Sequence, residues 1–263
     1  MSMTAWMMFG QNGQYITSSN LPPDFRTTLQ SFTQSNGSVF KNIYCSPDTS
    51  GYLILGTGGQ LWWYGDFPSD LSAATYALWT GGHTPIYLSW YAPGMWAVFC
   101  SDGTYTLGPN VPSQVSSVLA GYTQSNQRRL TEYTPSNLIF SPSGDWLLVG
   151  YDQGAPNRAL GTYNSSSGFP ADVLAAANAL TTSGVATIAF DPDGGWAMID
   201  SAGKVTWSPS TPADVVAAAN SFVAAGNTIT AVQFVQIAVY TLPGQLSLSL
   251  TGPINFNTET WTS

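Results

Sequence analysis

A short helix written five times, a strand-rich segment before each copy, and two chain ends that are incomplete in complementary ways predict a mainly β chain with short helices. The expected architecture is a closed β-propeller of about six small blades, each with about three strands and one helix. The helix motif opens at Pro22, Pro68, Pro112, Pro170 and Pro212. An apolar residue follows three places on and a second comes seven after that, in the pairs Phe25/Phe32, Leu71/Leu78, Val115/Tyr122, Val173/Leu180 and Val215/Phe222. The spacing of roughly 45 residues is that of one supersecondary unit which buries its apolar face only by stacking on its neighbours.

The repeat ending near Ala225 shows the elements in order. Thr187-Ile188-Ala189-Phe190 reads as a strand, and Asp191-Pro192-Asp193-Gly194-Gly195 as a tight turn with Asp and Pro for the bend and Gly for positive φ. Trp196-Ala197-Met198-Ile199 is a second strand. Ser201-Ala202-Gly203 then turns into a third, Lys204-Val205-Thr206-Trp207. Pro212 stands near the first helical turn, where its missing N–H costs nothing, and Asp214 complements the helix dipole. Gly226 stops the helix.

The other copies repeat this order, the fourth with an insertion at 151–168 before Pro170. The N-terminus begins at a second strand, Ala5 to Phe9, with no first strand before it. The C-terminus offers strands near 229–234, 237–242 and 245–250 and a strand-like tail at 254–257, but no helix. The expected repeats are therefore 1–38, 39–84, 85–128, 129–184, 185–227 and 228–263, in one domain, with the ring closed by the N- and C-terminal strands. Five blades with the C-terminal region packed outside is the nearest alternative, and an open solenoid a more distant one.

Composition narrows function by exclusion. The chain has 263 residues, enough for a sizeable core, yet only 8% are charged against a usual ~25%. Aromatics reach 13%, too many for a disordered chain. No apolar run is long enough to cross a bilayer, so membrane insertion is not expected. Net charge is −8 with six basic residues, of which only Arg128-Arg129 form a pair; this lacks the basic stripe that nucleic acid requires. The first residues have neither a basic n-region nor an apolar h-region, so no signal peptide is read, and a cytoplasmic or leaderless-release protein is expected. Cys45 and Cys100 lie in apolar strand-like runs and read as buried free thiols.

Catalytic constellations find little support. His83 is the only histidine and no Gly-x-Ser-x-Gly elbow accompanies it, so no Ser-His-Asp site is read. One histidine and two distant cysteines do not build a zinc site, and no phosphate-cradling Gly-rich loop is present, so no metal or cofactor is expected. Asp191-x-Asp193-Gly194 resembles part of a calcium loop without its closing glutamate, and reads as a hairpin turn. Glu132 and Asp152 are the acids least explained by turns or helix starts, and would serve a glycosidase or lyase.

The aromatic set carries the functional reading. Trp6, Tyr52, Trp96, Trp146 and Trp196 share one place, the start of the second strand. They are either packing residues or stacking platforms for sugar rings, with Asp145 and Asp193 beside them for hydroxyl groups. Trp62 and Trp63, being adjacent on a third strand, must point to opposite faces, and Trp207 lies on another third strand. The repeated short blade, the turn Gly194-Gly195-Trp196, the sparse charge and the many Trp residues resemble the β-propeller lectins of mushroom fruiting bodies. That fungal-like resemblance implies multivalent sugar binding without catalysis, with glycans or glycoproteins as partners, and is compatible with a homo-oligomer. The ligand residues expected on this reading are Trp6, Tyr52, Trp96, Asp145, Trp146, Asp193, Trp196, Trp62, Trp63 and Trp207. A scaffold for a protein partner is the alternative.

Overall fold

The computed structural model describes residues 2–11, 13–21, 25–30, 40–45, 51–56, 61–65, 67–124, 133–152, 164–180, 184–238, 241–242 and 245–246. The strands are β1 (Ser2–Gly10), β2 (Tyr15–Thr17), β3 (Phe40–Cys45), β4 (Gly51–Gly56), β5 (Leu61–Gly65), β6 (Pro85–Ala92), β7 (Met95–Cys100) and β8 (Tyr105–Leu107). They continue with β9 (Tyr133–Phe140), β10 (Trp146–Asp152), β11 (Asn164–Ser165), β12 (Val185–Phe190), β13 (Trp196–Asp200), β14 (Val205–Trp207) and β15 (Ile229–Ala238). A last hairpin pairs β16 (Thr241–Leu242) with β17 (Gln245–Leu246). Residues 25–30 are helical (α1), followed by α2 (Ser69–Thr80), α3 (Ser113–Gln124), α4 (Ala171–Ala179) and α5 (Ala213–Ala224). No helix among the described residues is long and apolar enough to cross a membrane.

The chain is mainly β, in small three-stranded sheets that all place their second strand in the middle. These are β15-β1-β2, β3-β4-β5, β6-β7-β8, β9-β10-β11 and β12-β13-β14. The first of them departs from the expected boundaries. Ile229–Ala238 is a single strand paired antiparallel with β1 from Ser2↔Ala238 to Gly10↔Ile229. The two strands expected around 229–242 are thus largely one, and it completes the first repeat in place of opening a sixth. The tail at 254–257, expected to make that closure, lies outside the described residues. The fourth repeat also differs: β10 runs on to Asp152 and β11 lies at Asn164–Ser165, so the insertion falls between second and third strands.

The repeat is written in hydrogen bonds as well as in sequence. The amide N–H groups of Trp6, Trp146 and Trp196 donate to the hydroxyls of Ser18, Ser166 and Ser208, each at 3.0 Å. Those serines return an N–H to the same tryptophan carbonyls at 2.9 Å. Gly108 holds the corresponding place after β8 and donates to the Trp96 carbonyl at 2.8 Å. A side chain does not fit there, because a Cβ would lie 2.2 Å from the Gly94 carbonyl oxygen.

The helices begin on proline in the N-cap position at Pro68, Pro170 and Pro212, with φ near that of polyproline and no side-chain cap. The expected pairing of apolar residues seven apart holds in α5, where Val215 and Phe222 are both buried, while a pairing four apart holds in all five helices. Phe25/Leu29, Leu71/Thr75, Val115/Leu119, Val173/Ala177 and Val215/Ala219 are all buried, whereas Leu78 and Leu180 are only half-buried. Four residues is the spacing that stacks side chains on one helix face. Thr75 occupies an apolar slot without an orphaned hydroxyl, since its Oγ1 donates to Leu71 O or Ser72 O. Gly226 ends α5 as expected: with φ at +88°, it and Asn227 donate to the Val223 and Phe222 carbonyls.

The chain divides into two compact units. One contains Met1–Phe67, Phe190–Gly195 and Pro209–Ser263. Its core gathers Ala5, Met7 and Phe9 of β1, Phe25 and Leu29 of α1, Ile43 and Ile54 of the second sheet, and Ala231 and Val235 of β15. Gln233 Nε2 donates to Asn42 Oδ1 at 3.4 Å, joining β15 to β3. The other unit contains Pro68–Ala189 and Trp196–Ser208. There Val115 and Leu119 of α3 pack with Ala97 and Phe99 of β7 and with Leu138, Trp146 and Leu148 of the next sheet. Ser89 donates to Asn137 Oδ1 and Asn137 Nδ2 to Ala186 O, so the first strands β6, β9 and β12 are linked through polar groups.

Candidate functional site

The second-strand tryptophans occupy the place expected of them but not the role. Trp6, Trp96, Trp146 and Trp196 are 7, 3, 5 and 5% exposed, so their rings cannot receive a sugar face. Their indoles are used internally. Trp96 Nε1 donates to Asp70 Oδ2 at 2.8 Å, Trp196 Nε1 to Asp172 Oδ2 at 2.7 Å, and Trp6 Nε1 to Asp214 Oδ2 at a longer 3.4 Å. In each case the acceptor is the second residue of the helix that leads into that tryptophan's sheet. A carboxylate there faces the positive end of the helix dipole and also satisfies a buried N–H. Of these four expected ligand residues, Trp6, Trp96 and Trp196 staple sheet to helix, and Trp146 is buried in the apolar cluster with Val115 and Leu119 of α3. Tyr52 holds the same position on β4, is half-buried, and packs its ring 4.1 Å from that of Phe25.

Asp145 is also committed to structure. Its Oδ1 accepts from Ser166 Oγ and its Oδ2 from Ser143 Oγ, both at 2.8 Å, while its carboxylate lies over Gly168, where a Cβ would come within 2.5 Å of Oδ1. One carboxylate oxygen is held by the turn and the other by the residue after β11. Asp193, by contrast, is exposed, and its Oδ2 lies 3.1 Å from Thr4 Oγ1.

The third-strand aromatics keep part of their surface solvent-facing, as Tyr52 does. Trp62, Trp63 and Trp207 are all half-exposed. Trp62 packs part of its ring on the core of its unit, and Trp63 stacks on Phe67 with centroids 6.1 Å apart and planes 17° from parallel. Trp63 pairs with Leu53 and Trp207 with Ala197, the residue after the second-strand Tyr52 or Trp196 in each case. They hold one register position in two sheets. Leu107 stands at that position on β8, Thr17 on β2 and Ser165 on β11. Sequence reasoning placed these indoles among the candidates but gave them no priority over the second-strand set.

The remaining reactive groups are accounted for. His83 Nδ1 lies 2.6 Å from Asp102 Oδ2 in a surface hairpin. That hydrogen bond, with the Thr104 N–H, holds the Asp102 carboxyl below its ordinary range. Burial pushes the Cys45 thiol up to about 12 and the Cys100 thiol to about 11, the latter helped by the charge of Asp102. Both cysteines are free, and both stay protonated near neutral pH, the unreactive form. Glu132 lies outside the described residues, and Asp152 is placed only as the last residue of β10, opposite Tyr133. No group of three or more His, Cys, Asp or Glu that could hold a metal gathers among the described residues. No protein-family model matches the chain, and no curated protein matches it.

Proposed function

We propose that this protein is a multivalent, non-catalytic carbohydrate-binding protein. Its ligands are glycans or glycoproteins, bound by half-exposed tryptophans of the third strands. The fold reading that goes with it is a closed propeller of five blades, with β15 and β1 joining the chain ends in one sheet. Its support is the recurrence of one strand order in five sheets and the polar links between first strands, Gln233 to Asn42 and Ser89 through Asn137 to Ala186.

The observation that carries the functional reading is the register match between Trp63 and Trp207. Two sheets present an indole at the same place, and both indoles keep part of their surface in water. Sugar rings offer apolar C–H faces that lie on such rings. Weak sites repeated along one chain gain strength by avidity.

A glycan array and red-cell agglutination, run on the wild type and on the double variant Trp63→Ala/Trp207→Ala, test the reading. The wild type is expected to bind in both assays. The variant is expected to lose binding while melting within a few degrees of the wild type. Wild-type negatives in both assays, or undiminished binding by the variant, remove the assignment.

A further inference from the structure

Two turns of the molecule share a backbone and differ in charge. In Ser141–Asp145 the Ser141 N–H donates to Asp145 O at 2.8 Å and the Gly144 N–H to Ser141 O at 2.9 Å. In Asp191–Gly195 the Asp191 N–H donates to Gly195 O at 2.8 Å and the Gly194 N–H to Asp191 O at 2.9 Å. The first turn surrounds one carboxylate with hydroxyls: Ser143 and Ser166 each donate to Asp145, and Ser141 Oγ meets Ser143 Oγ at 2.8 Å. The second puts Asp191 and Asp193 in the places of the two serines and Gly195 in the place of the aspartate.

That exchange leaves the second turn short of protons. One hydroxyl, Thr4 Oγ1 of β1, lies 3.3 Å from Asp191 Oδ1 and 3.1 Å from Asp193 Oδ2. It has one hydrogen for two carboxylates. Asp191 is 1% exposed; its Oδ1 also takes the Asp193 N–H at 3.0 Å, but its Oδ2 is fully buried without a hydrogen-bond partner. A buried carboxylate with an orphaned oxygen is costly unless a positive charge meets it.

We propose that Asp191, Asp193 and the Thr4 hydroxyl bind a divalent cation, calcium being the expected ion. All three ligands are hard oxygens, and Asp191 and Asp193 sit one residue apart as in the opening of a calcium loop. Water and backbone oxygens complete the coordination. Two carboxylates place the affinity near that of weak extracellular modules, about 10⁻⁴–10⁻³ M. The ion ties β1 to a turn 187 residues away in sequence, so its binding is read out as stability.

The test is thermal unfolding of the full chain in about 10 mM CaCl2 against EDTA, with ionic strength matched by NaCl. A tenfold excess over the dissociation constant is expected to raise the wild-type melting temperature by about 3 °C or more. The double variant Asp191→Ser/Asp193→Ser copies the residues of the first turn and is expected to lose the rise. Should it fold poorly, Asp193→Asn, at an exposed position, is the second variant, with terbium luminescence on tryptophan excitation as an independent readout. Terbium emission in the wild type that falls in Asp193→Asn supports the site. Equal calcium shifts in wild type and variant overturn it. So does a wild type whose melting temperature is the same in calcium and in EDTA.

Discussion

Tryptophans at the start of the second strands and tryptophans on the third strands descend from the same repeat and meet opposite fates. Trp96 and Trp196 lie beside a carboxylate on the preceding helix and spend their one polar atom on it. Trp63 and Trp207 lie across from Leu53 and Ala197 and keep part of their rings in water. The difference is set by neighbours, not by residue type. An indole can be buried cheaply only where its N–H finds an acceptor, and the helix starts supply one.

The largest break in this comparison is Trp196→Ala. Removing a ring that is 5% exposed leaves a cavity as well as an unpaired Asp172, at a cost of about 3–5 kcal/mol. Trp63→Ala, at a half-exposed position, is expected to cost less than about 1.5 kcal/mol. Urea unfolding of both variants checks the contrast, and equal losses would show that the two sets are not distinct.

A smaller effect isolates the polar half of the staple. Asp172→Ala leaves the Trp196 ring in place but orphans its N–H and removes a carboxylate from the first turn of α4. The expected loss is about 1.5–3 kcal/mol. Asp214→Ala acts on a bond of 3.4 Å in place of 2.7 Å and is expected to lose less. A reversed order in denaturant midpoints would mean that the helix dipole, not the indole, is what these aspartates serve.

Much of the fold was legible because the repeat constrains it five times over. The prolines before the helices, Gly226 after α5 and the Trp-start second strands were read from spacing and turn chemistry alone. The destination of Ile229–Ala238 was not, because a strand sequence records its pattern of side chains but not its partner. The burial of Trp6, Trp96, Trp146 and Trp196 was open for a similar reason. For Trp6, Trp96 and Trp196 the clue was the Asp two residues after the helix-opening proline, which was read only as a dipole partner, though the indole N–H that donates to it lies in the next sheet. The two hydrogen bonds of Asp145 were not legible either, because its partners, Ser143 and Ser166, lie on both sides of the second strand in sequence.

The smallest expected effect sharpens the comparison by adding a staple. Where α2, α4 and α5 carry Asp70, Asp172 and Asp214 at their second residue, α3 carries Gln114. The next sheet nonetheless presents a buried Trp146, packed with Val115 and Leu119 of that helix. Gln114→Asp is expected to gain about 1 kcal/mol, from the dipole and from a new bond to the indole. The two sources separate in a double-mutant cycle with Trp146→Phe, which keeps a ring but removes the N–H. A gain that shrinks in the Phe background assigns it to the indole. An equal gain in both backgrounds assigns it to the helix alone, and the carboxylate–indole staple would then be a consequence of packing, not a source of stability.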